Sequence, residues 1–250
     1  MSIDTPVPDP GEFRARGANQ TRIETFTDAA FAFALTMLAV SLEAPTTYEA
    51  LMRALGGIPA FAGSFALLML FWRGHNEFSR RYGLEDGTTL LLTSALVFVL
   101  LVYVFPLKFL FKAFVAWMAF LTTGEAVGEE LRISIGQLKM LFIVYGGGFT
   151  AMTLCLMLLF VHAYRLRRTL GLTEVEVLDT RLQIGAWGVQ AAVGLLSIAI
   201  AALPISALHP SSAGWAYCLL PIVMPIYGIR SGRKRDALVA RLRRAAASAA

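Results

Sequence analysis

Six apolar runs separated by short polar blocks set the pattern of this chain. The first, residues 22–43, reads RIETFTDAAFAFALTMLAVSLE. It opens with Arg22, Glu24 and Asp28 and is uncharged from Ala29 to Leu42. The others fall near 55–71, 88–107, 140–164, 184–203 and 213–229. At 1.5 Å per residue, runs of this length match a hydrocarbon core of about 30 Å. Prolines punctuate the pattern. Pro45 disfavours helix at Ala44 and stops the first run. Pro59 suits the opening turn of the second. Pro106 predicts a kink in the third. Beyond it, the aromatic and basic stretch 108–117 reads as an interfacial continuation with snorkelling lysines. Pro204 ends the fifth run, Pro221 and Pro225 lie inside the sixth, and Gly146, Gly147 and Gly148 interrupt the fourth.

Length alone would fit one or two soluble domains. Composition overrules that, because 57% of the 250 residues are hydrophobic, only 16% are charged, and the charges sit between the apolar runs. The expected fold class is all-α, a polytopic membrane protein of six transmembrane helices. Residues 1–17 are polar and Pro-rich with no apolar stretch, so they read as a disordered cytoplasmic N-terminus rather than a signal peptide. Residues 18–230 form the membrane domain and 231–250 a basic cytoplasmic tail. Cys155 and Cys218 sit inside apolar runs and read as small buried hydrophobes.

The net charge of +5 could suggest a nucleic-acid partner. Its distribution argues otherwise. Arginines cluster before the first run, after the second and fourth, and after the sixth, while the alternate loops are acidic or nearly uncharged. Six spans with both termini cytoplasmic satisfy the positive-inside rule at every loop, in a cell inner (plasma) membrane and with no nucleic acid. The Glu125 to Glu130 loop is then outside. The tail from Lys234 onward reads as a helix on anionic membrane lipids.

No catalytic constellation stands out, so an enzyme is not expected. His75, His162 and His209 fall at three different segment ends, which suits no shared metal. Neither a phosphate loop nor a Gly-x-Ser-x-Gly elbow is present, and no cofactor is implied. The first run carries more information. At about 100° per residue, Phe26, Ala29, Phe33, Thr36 and Val40 share one face, and Asp28, Phe31, Leu35 and Leu38 lie roughly opposite. Arg22 and Asp28 are separated by roughly 120° of azimuth, so each needs a partner outside this helix. An acid within an apolar span is a functional candidate by default.

Arg22-x-x-x-Phe26-Thr27-Asp28 resembles the Arg-x-x-x-Phe-Ser-Asp signature that opens the first helix of the transmembrane protein 175 family. These are the endosomal and lysosomal potassium channels and their prokaryotic relatives. Trp72-x-x-His75 resembles a second family feature. The resemblance implies a potassium-favouring cation channel, with K⁺ as permeant ion and no resident metal. It implies a homotetramer whose first helices line the pore. It places the hydrophobic constriction at Phe33, where the family carries Ile or Leu, a pore hydroxyl at Thr36 and an outer apolar position at Val40. Arg22, Phe26, Thr27, Asp28, Trp72, His75 and Asn76 would form the motif and an inner-mouth network. Tyr145-Gly146-Gly147-Gly148-Phe149 shares glycines with the TVGYG filter loop of tetrameric potassium channels, but it lacks the Thr-Val and the order. It reads as close helix packing instead. The rival readings are a secondary transporter and a non-conducting membrane scaffold.

Overall fold

The computed structural model describes residues 13–17, 20–40, 46–123, 135–203 and 212–249. Every regular element among them is helical: α1 Arg22–Val40, α2 Tyr48–Gly56, α3 Ile58–Tyr82, α4 Gly87–Thr123, α5 Ile135–Arg165, α6 Glu174–Ala202, α7 Ser212–Trp215, a 3₁₀ turn Ala216–Leu219, and α8 Leu220–Ala249. α4, α5, α6 and the α7–α8 segment are each long and apolar enough to cross a membrane, and α2 with α3, bent by 41° at their junction, makes a fifth if counted as one span. α1 is 19 residues long and carries three charged residues near its start. The chain is therefore a multi-pass, all-helical membrane protein.

Local chemistry explains where these helices begin and stop. Thr173 accepts from the Glu176 backbone N–H while the Glu176 carboxylate accepts from that of Thr173, a reciprocal cap that starts α6. α3 stops at Gly83, which takes φ +57° and donates its N–H to the Ser79 carbonyl at 2.9 Å. Only glycine adopts that left-handed conformation without cost. Three residues on, the Asp86 carboxylate accepts from the Thr89 N–H at 2.8 Å and starts α4.

The core lies between α3, α4, α5 and α6, with one face of α1 added. Phe71 of α3 stacks on Trp187 of α6 at 6.2 Å and meets Phe149 of α5 edge-on at 5.8 Å. Phe78 meets Phe160 edge-on at 5.6 Å. α5 passes through Gly146, Gly147 and Gly148 without a break. The reason is packing. A Cβ on Gly148 would overlap the Tyr103 ring of α4, and one on Gly146 would sit 2.7 Å from the Ile198 side chain of α6. The glycines let three helices approach one another.

The structure corrects several boundaries. The third run, expected near 88–107 with a continuation over 108–117, is one helix: α4 carries Pro106 inside it and runs through Lys108 and Lys112 to Thr123. α6 starts ten residues before its apolar run, at the Thr173 cap rather than where hydropathy rises. The basic tail is helical, as expected, and it continues the last apolar run directly: α8 runs unbroken from Leu220 through residue 230 to Ala249. The expectation of a disordered 1–17 fails for residues 13–17, which are docked on the bundle. Residues 1–12 lie outside the described residues, as does the 125–130 loop.

Candidate functional site

α1 begins with a second reciprocal cap. The Thr21 hydroxyl accepts from the Glu24 N–H at 3.1 Å, and the Glu24 carboxylate accepts from the Thr21 N–H at 2.9 Å. Two donors that the helix start would otherwise orphan are thereby satisfied. This cap puts Arg22 in the first helical position and fixes the azimuth of everything after it.

The two sides of α1 then diverge. Thr27, Phe31, Ala34 and Leu38 are buried against the bundle. Arg22, Thr25, Phe26, Ala29, Ala32, Phe33, Thr36 and Ala39 are exposed, with Phe26 at 61% and Phe33 at 58%. Leu35 is half-buried and packs on the core. Val40 closes the helix, and its side chain lies outside the described residues. The exposed face differs from the outer stripe of α4. There Leu90, Leu91, Phe98, Val102 and Phe105 stand out, all large and apolar, as a lipid-facing stripe should be. On α1 the exposed face alternates aromatic rings with alanines and hydroxyls. Thr25 donates to the Thr21 carbonyl at 3.0 Å and Thr36 to the Ala32 carbonyl at 2.9 Å. Each hydroxyl proton is thus used within the helix, and what remains outward is oxygen lone pairs.

Asp28 is half-buried on the flank of α1. Its carboxylate accepts from the Trp72 indole N–H at 2.8 Å and from the Gln20 amide at 3.1 Å. The first of these joins the two sequence patches directly, α1 to α3. His75, one turn on from Trp72, is buried, and its Nε2 lies 3.2 Å from the Thr93 hydroxyl of α4. Thr27 is fully buried and donates to the Ile23 carbonyl at 2.8 Å. Asn76, next to His75 in sequence on α3, is half-buried, and Arg22 is exposed.

The expected single cluster therefore resolves into two linked parts: Gln20–Asp28–Trp72 ties α1 to α3, and His75–Thr93 ties α3 to α4. Below them, Glu77 accepts from the Gln183 amide at 2.9 Å and pairs with Arg81 at 2.6 Å, which adds α6. Gln20, Glu24 and Thr93 were not singled out from sequence. Glu24 was legible, since Thr21-x-x-Glu24 is a capping box by spacing. Gln20 and Thr93 carry no local signal, because their partners are set by packing. No group of three or more His, Cys, Asp or Glu side chains able to hold a metal occurs among the described residues.

The face and its anchor can be compared with known proteins. Residues 22–106 match the family described as endosomal/lysosomal potassium channel TMEM175. A protein of Marivirga tractuosa named potassium channel is 36% identical over 231 residues, 91% of this chain and 94% of its own. A crystal structure of a single-residue variant of the potassium channel MtTMEM175, bound to a nanobody fusion, superposes with TM-score 0.78 at 34% identity, over 89% of this chain and 97% of that one. A lysosomal potassium-selective channel TMEM175 homologue from Chamaesiphon minutus shares the fold at TM-score 0.54 and 18% identity, over 84% of this chain and 96% of that one. These relatives are ion channels, not enzymes.

Proposed function

The chain belongs to the TMEM175 potassium-channel family, and from that premise we propose that it is one subunit of a potassium-favouring cation channel. Six membrane-spanning helices make the subunit, α1 and the α2–α3 pair each counting as one. Four copies assemble with their α1 helices around the axis. The reading rests on one observation, the exposed face of α1. A face of alanines, hydroxyls and two rings, opposite a fully buried one, suits neighbouring helices and a water-filled axis better than lipid.

On that reading Phe33 forms an apolar ring, Thr36 lies one turn farther out, and Val40 beyond it. No ring of backbone carbonyls is invoked. An apolar constriction conducts only when wetted, and it penalises the ion that holds its water more tightly, which favours potassium over sodium. Asp28, at the inner end, raises the local cation concentration. Its bond to Trp72 fixes where α1 leans on α3. Arg22, exposed on the single chain, meets a neighbouring copy. The membrane is the cell's inner (plasma) membrane, with both termini cytoplasmic.

Purified protein in liposomes with a potassium gradient tests the proposal. Electrogenic potassium flux that needs no coupling ion is the expected result. Flux that requires a counter-gradient would make the protein a secondary transporter, and no flux would make it a scaffold.

A further inference from the structure

The segment before α1 is built into the bundle. Arg16 donates through two nitrogens to the two carboxylate oxygens of Glu176, at 3.0 and 2.8 Å. Its Nε donates to the Leu170 carbonyl at 3.0 Å. The Arg14 N–H adds a third bond to Glu176 at 2.9 Å. The Glu176 side chain is 0% exposed, so all its solvation comes from this segment and its own cap. Next to it, the Phe13 ring stands edge-on to Tyr82 at 5.7 Å, with the Arg81 guanidinium 4.7 Å above its face.

The backbone is fitted as closely. The Gly17 N–H donates to the Arg80 carbonyl at 3.1 Å, and a Cβ on Gly17 would lie 2.5 Å from the Ser79 carbonyl oxygen. On the other side of the contact is Gly83, where a Cβ would lie 3.0 Å from the Arg16 carbonyl. Two glycines thus let the segment lie on the stop of α3. It therefore touches the end of α3, the α5–α6 turn and the first turn of α6. Four residues after Gly17 comes Thr21, the cap of α1.

We propose that residues 13–17 are a strap that positions the inner end of the pore helix, with Arg16 and Glu176 as its positioning residues. The inference rests on the channel reading above. The strap's anchors all belong to the bundle, on which α1 packs with its buried face. Its pull therefore holds the start of α1 back from the axis. Arg16 touches no permeating ion. It acts through the tether, by deciding how far the α1 start can lean inward, and release of the strap favours a closed inner mouth.

The test uses the full chain with Cys155 and Cys218 replaced by Ala, and two readouts. The first is a nitroxide on Thr25→Cys, on the exposed face of α1, with a control label on Leu158→Cys of α5. The second is single-channel recording in planar bilayers. Arg16→Ala removes the charge pair, and Gly17→Ala displaces the strap sterically without changing any charge. Both should mobilise the Thr25 label and leave the Leu158 label unchanged. Both should lower open probability by about threefold or more at unchanged unitary conductance, since the strap biases a population and not the pore's width. Arg16→Lys, which keeps the charge but loses the two-pronged grip on Glu176 and the Leu170 bond, should recover only part of the native open probability, and more than Arg16→Ala. A purely structural role would reduce assembly or heat stability without this pattern. The inference fails if the Thr25 label stays immobile in both variants. It also fails if the label is freed while open probability stays at the native value. No current from the unmodified protein would sink the channel reading and this inference together. Native current that the strap variants leave unchanged sinks this inference alone.

Discussion

Phe33 and Leu35 are two residues apart and have opposite surroundings. Phe33 is 58% exposed, whereas Leu35 packs on the core. That contrast was legible in the sequence, because a helix turns about 100° per residue and the opening charges fix where to start counting. If four Phe33 rings surround the axis, they close it more fully than Leu would. A ring face offers a cation about 0.5–2 kcal/mol, far less than dehydration of potassium costs, so basal current should be low. Phe33→Ala should raise the current and reduce discrimination between potassium and sodium, while Leu35→Ala should leave the reversal potential under bi-ionic conditions nearly unchanged. The opposite pattern would put the wrong side of α1 toward the axis. Trp72 was legible as a motif residue, but its bond to Asp28 was not, since no spacing rule reaches across 44 residues. Trp72→Phe keeps most of the ring and removes the indole donor. Hydrogen bonds to charged groups are worth about 1.5–3 kcal/mol. Thermal unfolding in mild detergent should show a loss of that order, and an unchanged melting temperature would mean that water replaces the indole.

At the scale of the element, hydropathy located the apolar cores of the helices but not their ends. α4 absorbs Pro106 because the Pro lies within a run whose neighbours pack on both sides: Tyr103, Val104 and Leu107 are all buried. α6 begins at a capping box that hydropathy does not register. The glycine triplet of α5 was legible as close packing, but only Gly146 and Gly148 make the close approach, and their partners were not legible. Gly148→Ala drives a methyl group into the Tyr103 ring, and overpacking of this kind costs about 1–3 kcal/mol. Gly147→Ala, whose Cβ would meet nothing within 4 Å, is the matched control and should be neutral in the same melting experiment. The turn between α3 and α4 carries a pH-dependent contact. Partial burial alone would raise the Asp86 carboxyl, but the His162 ring at 2.6 Å and the Thr89 N–H outweigh it and hold the carboxyl below its ordinary range. A carboxyl lower in the folded than in the unfolded state stabilises the fold above the unfolded value. That stabilisation is lost as pH falls through the folded one. Melting curves taken from neutral to acidic pH should converge for native protein and Asp86→Asn at the acid end and diverge toward neutrality. Parallel curves would show that the carboxylate is idle.

For the whole molecule, the distribution of arginines implied which segments share a side, and the structure brings those segments into contact. The strap meets the end of α3 through Gly17 and Arg80 and the α5–α6 turn through Arg16 and Leu170, and the extension of α8 meets α6 through Arg235 and Asp179 at 3.1 Å. The strap itself was missed, because residues 13–17 have the composition of a loop and only the buried Glu176, far along the chain, gives Arg16 a place to bind. These contacts commit all the arginine-rich segments to one side, whichever side that is. The proposed topology, from the positive-inside bias, makes it the cytoplasm. On the proposed six-span topology α1 crosses the membrane and α2 lies outside; Tyr48 at its start is 71% exposed. In a background without native cysteines, Tyr48→Cys should react with a membrane-impermeant maleimide in intact cells. Ala237→Cys, on the exposed part of α8, should react only after permeabilisation. The reverse result would invert the protein, and equal labelling of both sites in intact cells would show that α1 does not cross. The second outcome is the more damaging, because a helix that does not span cannot line a pore, and the exposed face of α1 would then need another partner.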